Sequence, residues 1–393
     1  LEKQGDLMFI EAVLKNNPML VDVAAKLHKS GKIEPSTYLI DLDMVRKNAE
    51  LISKTGKDQD VSLYFMTKQF GRNPLIARAI SEAGIDKAVA VDFDEARKLY
   101  RNGIKIGHLG HLVQIPKGCM KEALMMRPEV VTCFSVDMAK ELSDAAGEMG
   151  IVQDVLLRVI DDEDYLYPGQ GGGIQLDVLE AAAKTIKKFP NVNVVGVTSF
   201  PCFLYNEQTA RIEPTNNVET IIKAAELLKN TGFKITQING PSATCVSSIP
   251  LLKKVGVTHG EPGHALTGTT PLHAGGTEPE GPAIVYVTEV SHLEDDRAFV
   301  FGGGFYPRSK MKRAYLPDKK LLLDVEELPP ESIDYYSTVL TNGNNLHTGD
   351  TIIYSFRTQI FVTRSKVAVV DGIQRGNPKL LGIFNSLGDE IIK

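Results

Sequence analysis

The stretch SLYFMTKQF, residues 62–70, decides the fold. Six largely apolar residues without polar alternation read as a strand buried on both faces, and the run ends on Thr67 and Lys68. The same texture recurs in KAVAV (87–91), IGHLGHLV (106–113), VVTCF (130–134), VLLRVI (155–160), VVGVTSF (194–200), ITQIN (235–239) and VTHGE (257–261), which makes eight runs. Amphipathic stretches lie between them, among them NPLIARAISEAG (73–84), SVDMAKELSDAAGEMG (135–150), LDVLEAAAKTIKKF (176–189) and VETIIKAAELLKN (218–230). Their apolar residues recur at helical spacing, and Gly or Asn punctuates several ends. Eight strand–helix units predict an α/β fold built on a TIM (β/α)8 barrel, a form that usually takes about 250 residues. The barrel is expected over residues 61–275.

On either side the texture changes. Residues 1–36 carry a helical pattern in LMFIEAVLKNN (7–17) and MLVDVAAKLHKS (19–30), and residues 37–60 hold a strand, TYLID, and a helix that join the domains. The sheet that this early strand enters cannot be read from its pattern. A Gly/Pro-rich linker, TTPLHAGGTEPEGP (269–282), leads into AIVYVTEVSHL (283–293), RAFVFGGGFY (297–306) and DTIIYSFRTQIFVTRSKVAVVDGI (350–373). These β-branched runs predict a C-terminal, mostly antiparallel β domain over residues 276–393.

Composition agrees with two packed units, because 393 residues exceed the size at which one hydrophobic core stops growing. Hydrophobic residues at 43%, charged residues at 24% and a mean hydropathy of -0.09 exclude disorder as the main state. Lys and Arg number 44 against 49 Asp and Glu, for a net charge of -5. No basic block tracks a phosphate backbone, so no nucleic-acid partner is expected. No apolar run approaches the roughly 20 residues that span a bilayer, and residues 1–7 are unlike a signal peptide, so no membrane association and a cytoplasmic location are expected. Cys119, Cys133, Cys202 and Cys245 are widely spaced and read as free thiols.

A TIM barrel carries its chemistry at the carboxyl ends of its strands and often binds phosphate after strands seven and eight. Lys68 ends the first strand, where a partly desolvated amine can form a Schiff base with an aldehyde. After strand seven, INGPSATCVSS (238–248) offers Gly240, Ser242, Ala243 and Thr244, whose backbone N–H groups and hydroxyls suit a phosphate. After strand eight, GEPGHALTG (260–268) offers Gly263 for close backbone approach and Glu261 as a carboxylate. Each is ordinary turn or strand-end chemistry when taken alone. An amine, phosphate-binding loops and a carboxylate together match the aldehyde, phosphate and basic ring nitrogen of pyridoxal 5′-phosphate.

On these residues the sequence resembles the alanine-racemase-like, fold-type III pyridoxal-phosphate enzymes, and within them the YhfX-type branch. TYLIDLDMVRKNAELI (37–52), YFMTKQF (64–70), LLRVIDDEDYLYPGQGGGI (156–174) and YSFRTQIFVTRSKVAVV (354–370) carry the resemblance over nearly the whole chain. It implies that the early strand belongs to the β domain, and that Lys68 is the Schiff-base lysine and an acid/base at the substrate α-carbon. Gly240, Ser242, Thr244, Gly263 and the backbone of His264 fall at phosphate contacts. Glu261 falls opposite the ring nitrogen, where alanine racemases have arginine and the decarboxylase branch has Glu-Pro-Gly. Arg158 is implied as a strand-five anchor of the cofactor site, and Tyr165, Tyr167 and Gln170 are candidates for substrate recognition.

Several positions depart from the family pattern. Phe200 stands where a ring-stacking histidine is common, and Phe356 replaces the phosphate-contacting tyrosine, with Tyr354 two residues earlier. Tyr306 is the nearest substitute for the second racemase base, which in the family comes from the other subunit of a homodimer. The resemblance implies an amino-acid racemase acting on a small amino-acid substrate. A decarboxylase, a D-amino-acid aldolase or dehydratase, and a non-catalytic cofactor carrier remain as alternatives. No metal is expected: His108 and His111, three apart in a presumed strand, would face opposite sides, and His347 with Asp350 differs in spacing from the metal-binding pair of related dehydratases and aldolases.

Overall fold

The computed structural model describes residues 9–276, 278–306, 309, 311–329 and 331–392. All eight predicted apolar runs contain strands, and the strands are short. In chain order they are Ser62–Leu63 with Phe65–Met66, Lys87–Ala90, Lys105–Leu109, Val130–Cys133, Gln153–Ile160, Val192–Thr198, Gln237–Asn239 and His259–Gly260. Each pairs in parallel with its neighbour. The first strand closes the ring from both ends, because Ser62 and Leu63 pair with His259 and Gly260 while Phe65 and Met66 pair with Ala88 and Val89. Strands buried on both faces have no need of polar alternation, and Leu156, Leu157, Val159, Val89 and Val131 are all without solvent exposure.

The chain divides into two compact units. The barrel unit comprises Ile52–Thr67 and Ile80–Gly263. The other contains the residues up to Leu51, the segment Lys68–Ala79 and the chain from His264 onward.

The second unit is built on an antiparallel sheet. Strands Ile284–Glu294, Thr351–Tyr354, Arg313–Leu316, Leu321–Glu326, Tyr336–Leu340 and Arg297–Phe301 pair in that spatial order, and the last returns to pair with the first. On the other side of Ile284–Glu294 lies the early strand Thr37–Asp41, antiparallel to it and parallel to Lys366–Asp371. This parallel pairing places the early strand inside the β domain, as the family resemblance implies. Thr37–Asp41 is buried throughout. Leu39 meets Ile10, Val13, Leu20 and Val21 of helices Phe9–Asn16 and Pro18–Lys29, whereas Tyr38 meets Tyr286 and Phe356. Each such fully buried aliphatic side chain contributes about 1.5–3 kcal/mol. Among the described residues no helix is long and apolar enough to cross a membrane.

Candidate active site

Four barrel strands converge on one buried carboxylate. Glu261 follows the eighth strand, and its backbone N–H donates to Thr244 Oγ1 at 3.0 Å. Its Oε1 lies 2.7 Å from His108 Nδ1, on the third strand, and accepts from Asn239 Nδ2, on the seventh, at 2.7 Å. His108 Nε2 lies 2.5 Å from Thr132 Oγ1 on the fourth strand. A ring nitrogen facing a carboxylate carries a proton, so His108 donates from Nδ1, while Nε2 lies against the Thr132 hydroxyl, which can donate or accept. Asn239 Nδ2 also lies 3.1 Å from His108 Nδ1. Glu261 Oε2 is buried and accepts no hydrogen bond. Burial alone would raise this carboxyl, but the imidazoles of His111 and His108 and the hydrogen bonds from His108 and Asn239 outweigh it and hold the group down to about 2.

His111 corrects an expectation. The third strand ends at Leu109, and Gly110, at φ +80°, turns the chain in the left-handed region, so strand alternation does not reach His111. The two imidazoles lie on the same side, 5.3 Å apart between ring centres, and His111 Nδ1 is 3.5 Å from Glu261 Oε2. One donor atom from each of His108, His111 and Glu261 lies within 4.8 Å of the others. These three could hold a metal ion, so the opposite-sides argument against a shared metal does not stand. Phe200 packs edge-on against His111 at 5.3 Å and lies 5.8 Å from Tyr167, which also touches Tyr165.

Arg158, on the fifth strand, is buried with its guanidinium 4.6 Å over the Phe134 ring. Nη2 donates to the Gln170 carbonyl at 2.7 Å, while Nε and Nη1 are buried with no partner. Desolvation lowers this guanidinium to about 10, against the smaller raising effects of Cys202 and Asp164. After the seventh strand, Ser242 and Ala243 adopt φ of +94° and +52°. Two consecutive non-glycine residues in that region are strained. Ser248 Oγ pins the turn by donating to the Ala243 carbonyl at 2.8 Å and accepting from Cys245 N–H at 2.9 Å. Gly240 serves packing, since a Cβ there would lie 2.8 Å from a Val257 methyl.

The barrel unit thus brings together Arg158, Phe200, Gly240, Ser242, Thr244, Glu261 and Gly263. The second unit holds Lys68, His264, Tyr306 and Tyr354. Lys68 is 9% exposed and opens the short helical turn Lys68–Phe70, next to Gln69, whose carbonyl accepts from Thr358. His264 opens the turn His264–Thr267, with Nδ1 3.1 Å from Thr269 Oγ1. The Tyr306 hydroxyl accepts from Arg357 Nη1 at 2.5 Å. Tyr354 is wholly buried in its own domain against Phe305 and Tyr286, and Phe356 packs on the same two rings. His347 and Asp350 form a turn in which the His347 N–H donates to the Asp350 carboxylate at 2.8 Å. Sequence reasoning missed Asn239 and Thr132 and read His108 only as a strand residue. The signal available was a histidine in an otherwise apolar barrel strand, which needs buried polar partners.

The chain belongs to the alanine racemase-like family: residues 40–271 match the alanine racemase N-terminal domain, and residues 285–380 match the YhfX-like C-terminal domain. It is 40% identical over 388 residues to "Uncharacterized protein YhfX" of Escherichia coli (strain K12), covering 98% of this chain and all of that protein. Alanine racemase of Clostridium difficile 630 in complex with cycloserine shares the fold, with a TM-score of 0.63 at 15% identity, covering 90% of this chain and 99% of that one. So does D-threo-3-hydroxyaspartate dehydratase from Delftia sp. HT23, with a TM-score of 0.68 at 15% identity over 88% and 97%. D-threonine aldolase from Filomicrobium marinum gives a TM-score of 0.66 at 14% identity over 90% and 95%. Alanine racemase-like enzymes use pyridoxal 5′-phosphate. The barrel residues fit that group: Glu261 Oε2 is an open acceptor for a ring N–H, Arg158 has two open donors, and Ser242 and Thr244 bring hydroxyls to the loop after the seventh strand.

Proposed function

We propose that this chain is a pyridoxal-phosphate-dependent amino-acid racemase. The observation that carries the reading is the buried Glu261 carboxylate, held through one oxygen and open at the other. When bound, pyridoxal phosphate supplies an electron-accepting ring that lowers the cost of removing a group from a substrate α-carbon. Glu261, ionised and shielded from water, keeps a proton on the ring nitrogen, which strengthens that acceptance. Arg158 holds an anionic oxygen of the cofactor, and the N–H groups and hydroxyls of residues 242–244 hold its phosphate. Lys68 supplies the attaching amine and moves the α-proton on one face of the substrate. Tyr306 of the partner subunit of a homodimer serves the opposite face.

Racemisation is the most economical outcome, because it requires only proton transfer and the candidate groups are proton carriers. Borohydride treatment of the yellow holoenzyme should fix the cofactor on the Lys68 peptide. In heavy water, amino acids of both hands should then exchange the α-hydrogen with loss of chirality. Carbon dioxide release or aldol cleavage without exchange would replace the racemase with a decarboxylase or lyase. An intact lysine adduct with no reaction at all would leave a cofactor carrier.

A further inference from the structure

The hydrogen bonds around Glu261 are strongly one-sided. His108 Nδ1 and Asn239 Nδ2 both converge on Oε1 at 2.7 Å, and Oε2 accepts none. Neither Glu261 nor His108 has any side-chain exposure, so water cannot substitute for a missing donor. An unanchored carboxylate rotates about its last bond and exchanges its two oxygens. Here that rotation would strip two charge-assisted hydrogen bonds from Oε1. The anchoring depends on the imidazole tautomer, because only an Nδ1–H donates to Oε1. The carboxylate draws the proton to Nδ1, and the Thr132 hydroxyl, able to donate or to accept, pairs with Nε2.

We infer that His108 is a positioning residue for Glu261, anchoring Oε1 so that Oε2 is presented to the cofactor's ring nitrogen. The inference rests on the reading of Glu261 given above. The chain runs from the Thr132 hydroxyl to His108, then Glu261, then the ring, and each link is set by a different barrel strand. A histidine present only to fill the barrel interior would satisfy the packing in either tautomer and would leave the bound cofactor's electronic state unchanged.

The test uses the full chain labelled with 15N-histidine. In cofactor-free protein His108 should carry a proton on Nδ1, in the wild type and in Thr132→Val alike. In the holoenzyme, His108→Leu should shift the visible absorption of bound pyridoxal phosphate and speed its loss about tenfold, as expected for one charge-assisted hydrogen bond. His108→Asn, whose amide N–H stands where Nδ1–H stood, should restore both. A proton on Nε2 alone in the wild type would overturn the inference, as would a His108→Leu holoenzyme with an unaltered spectrum. If His108→Leu does not fold, the wild-type reading still decides. A wild-type protein that takes up no pyridoxal phosphate would instead overturn the reading of Glu261, because the tautomer is measured without cofactor.

Discussion

His108 and Glu261, from the third strand and the end of the eighth, meet at 2.7 Å with neither side chain exposed to solvent. A buried charge survives only with good partners, and removing one partner leaves the other without its bond. The pair therefore joins the stability of the barrel interior to the state of the candidate site, and substitutions there separate the two contributions.

Glu261→Gln keeps an acceptor for His108 and Asn239 but puts an amide nitrogen where Oε2 stands. The fold should survive with little change in Tm, while α-hydrogen exchange falls about 10²–10³-fold, the usual effect of deleting one preorganised polar contact. Glu261→Ala should in addition lose stability, at about 1–3 kcal/mol for each donor left unpaired. Thermal melts and exchange rates measured side by side check both.

Acid stability should fall in two overlapping stages. Burial lowers His259 to about 4, against the weaker opposing pull of Glu129 and Glu261. A histidine depressed below its unfolded value stabilises the fold fully above about pH 6.5, and that contribution drains away as pH falls toward 4. Glu261, held near 2, contributes fully above about pH 4.5 and loses its contribution between there and 2. Unfolding free energies from urea melts should drop by up to about 1.4 kcal/mol per pH unit from pH 7 to 4, and His259→Asn should flatten this segment.

Gly196 lies where the fifth, sixth and seventh strands crowd together. A Cβ there would sit 2.1 Å from the Gln237 carbonyl oxygen and 2.8 Å from a Leu156 methyl. Backbone cannot yield as a flexible side chain does, so Gly196→Ala should cost about 3 kcal/mol or abolish soluble expression. Gly171 has nothing within 4 Å of its virtual Cβ, and Gly171→Ala should stay within about 0.5 kcal/mol in the same denaturation assay.

Tyr306 separates two-base from one-base chemistry. Tyr306→Phe removes the oxygen that Arg357 holds. If Tyr306 serves one face of the substrate, one enantiomer should still exchange its α-hydrogen while the other slows by about 10²-fold or more, the scale of a lost acid/base group. Equal slowing of both hands would remove Tyr306 from that role.

The barrel was legible because parallel strands buried on both faces must be apolar throughout, and SLYFMT, VLLRVI and VVGVTSF are. The pairing of Thr37–Asp41 was not, since its partners near Ile284 and Lys366 are set by tertiary packing and leave no local mark. Within the site, Glu261 was legible as a carboxylate in the loop after strand eight, and Arg158 through the family resemblance. The relation between His108 and His111 was misread because it depends on where a five-residue strand stops, and a single left-handed glycine, Gly110, decides that. Strand ends are the least determined part of any sequence reading.

The place of Thr37–Asp41 between Ile284–Glu294 and Lys366–Asp371 also bears on how the chain is made. During synthesis this strand leaves the ribosome early, with every backbone group of its pairing edges unmatched, and waits while the whole barrel is translated. Barrel units can close meanwhile on nearby neighbours, but the early strand can be enclosed only after residue 370 has emerged. The β domain is thus begun first and finished last, with the barrel as an insertion within it. Truncation before Lys366 should therefore leave a folded barrel carrying an aggregation-prone strand edge, rather than a slightly shortened protein.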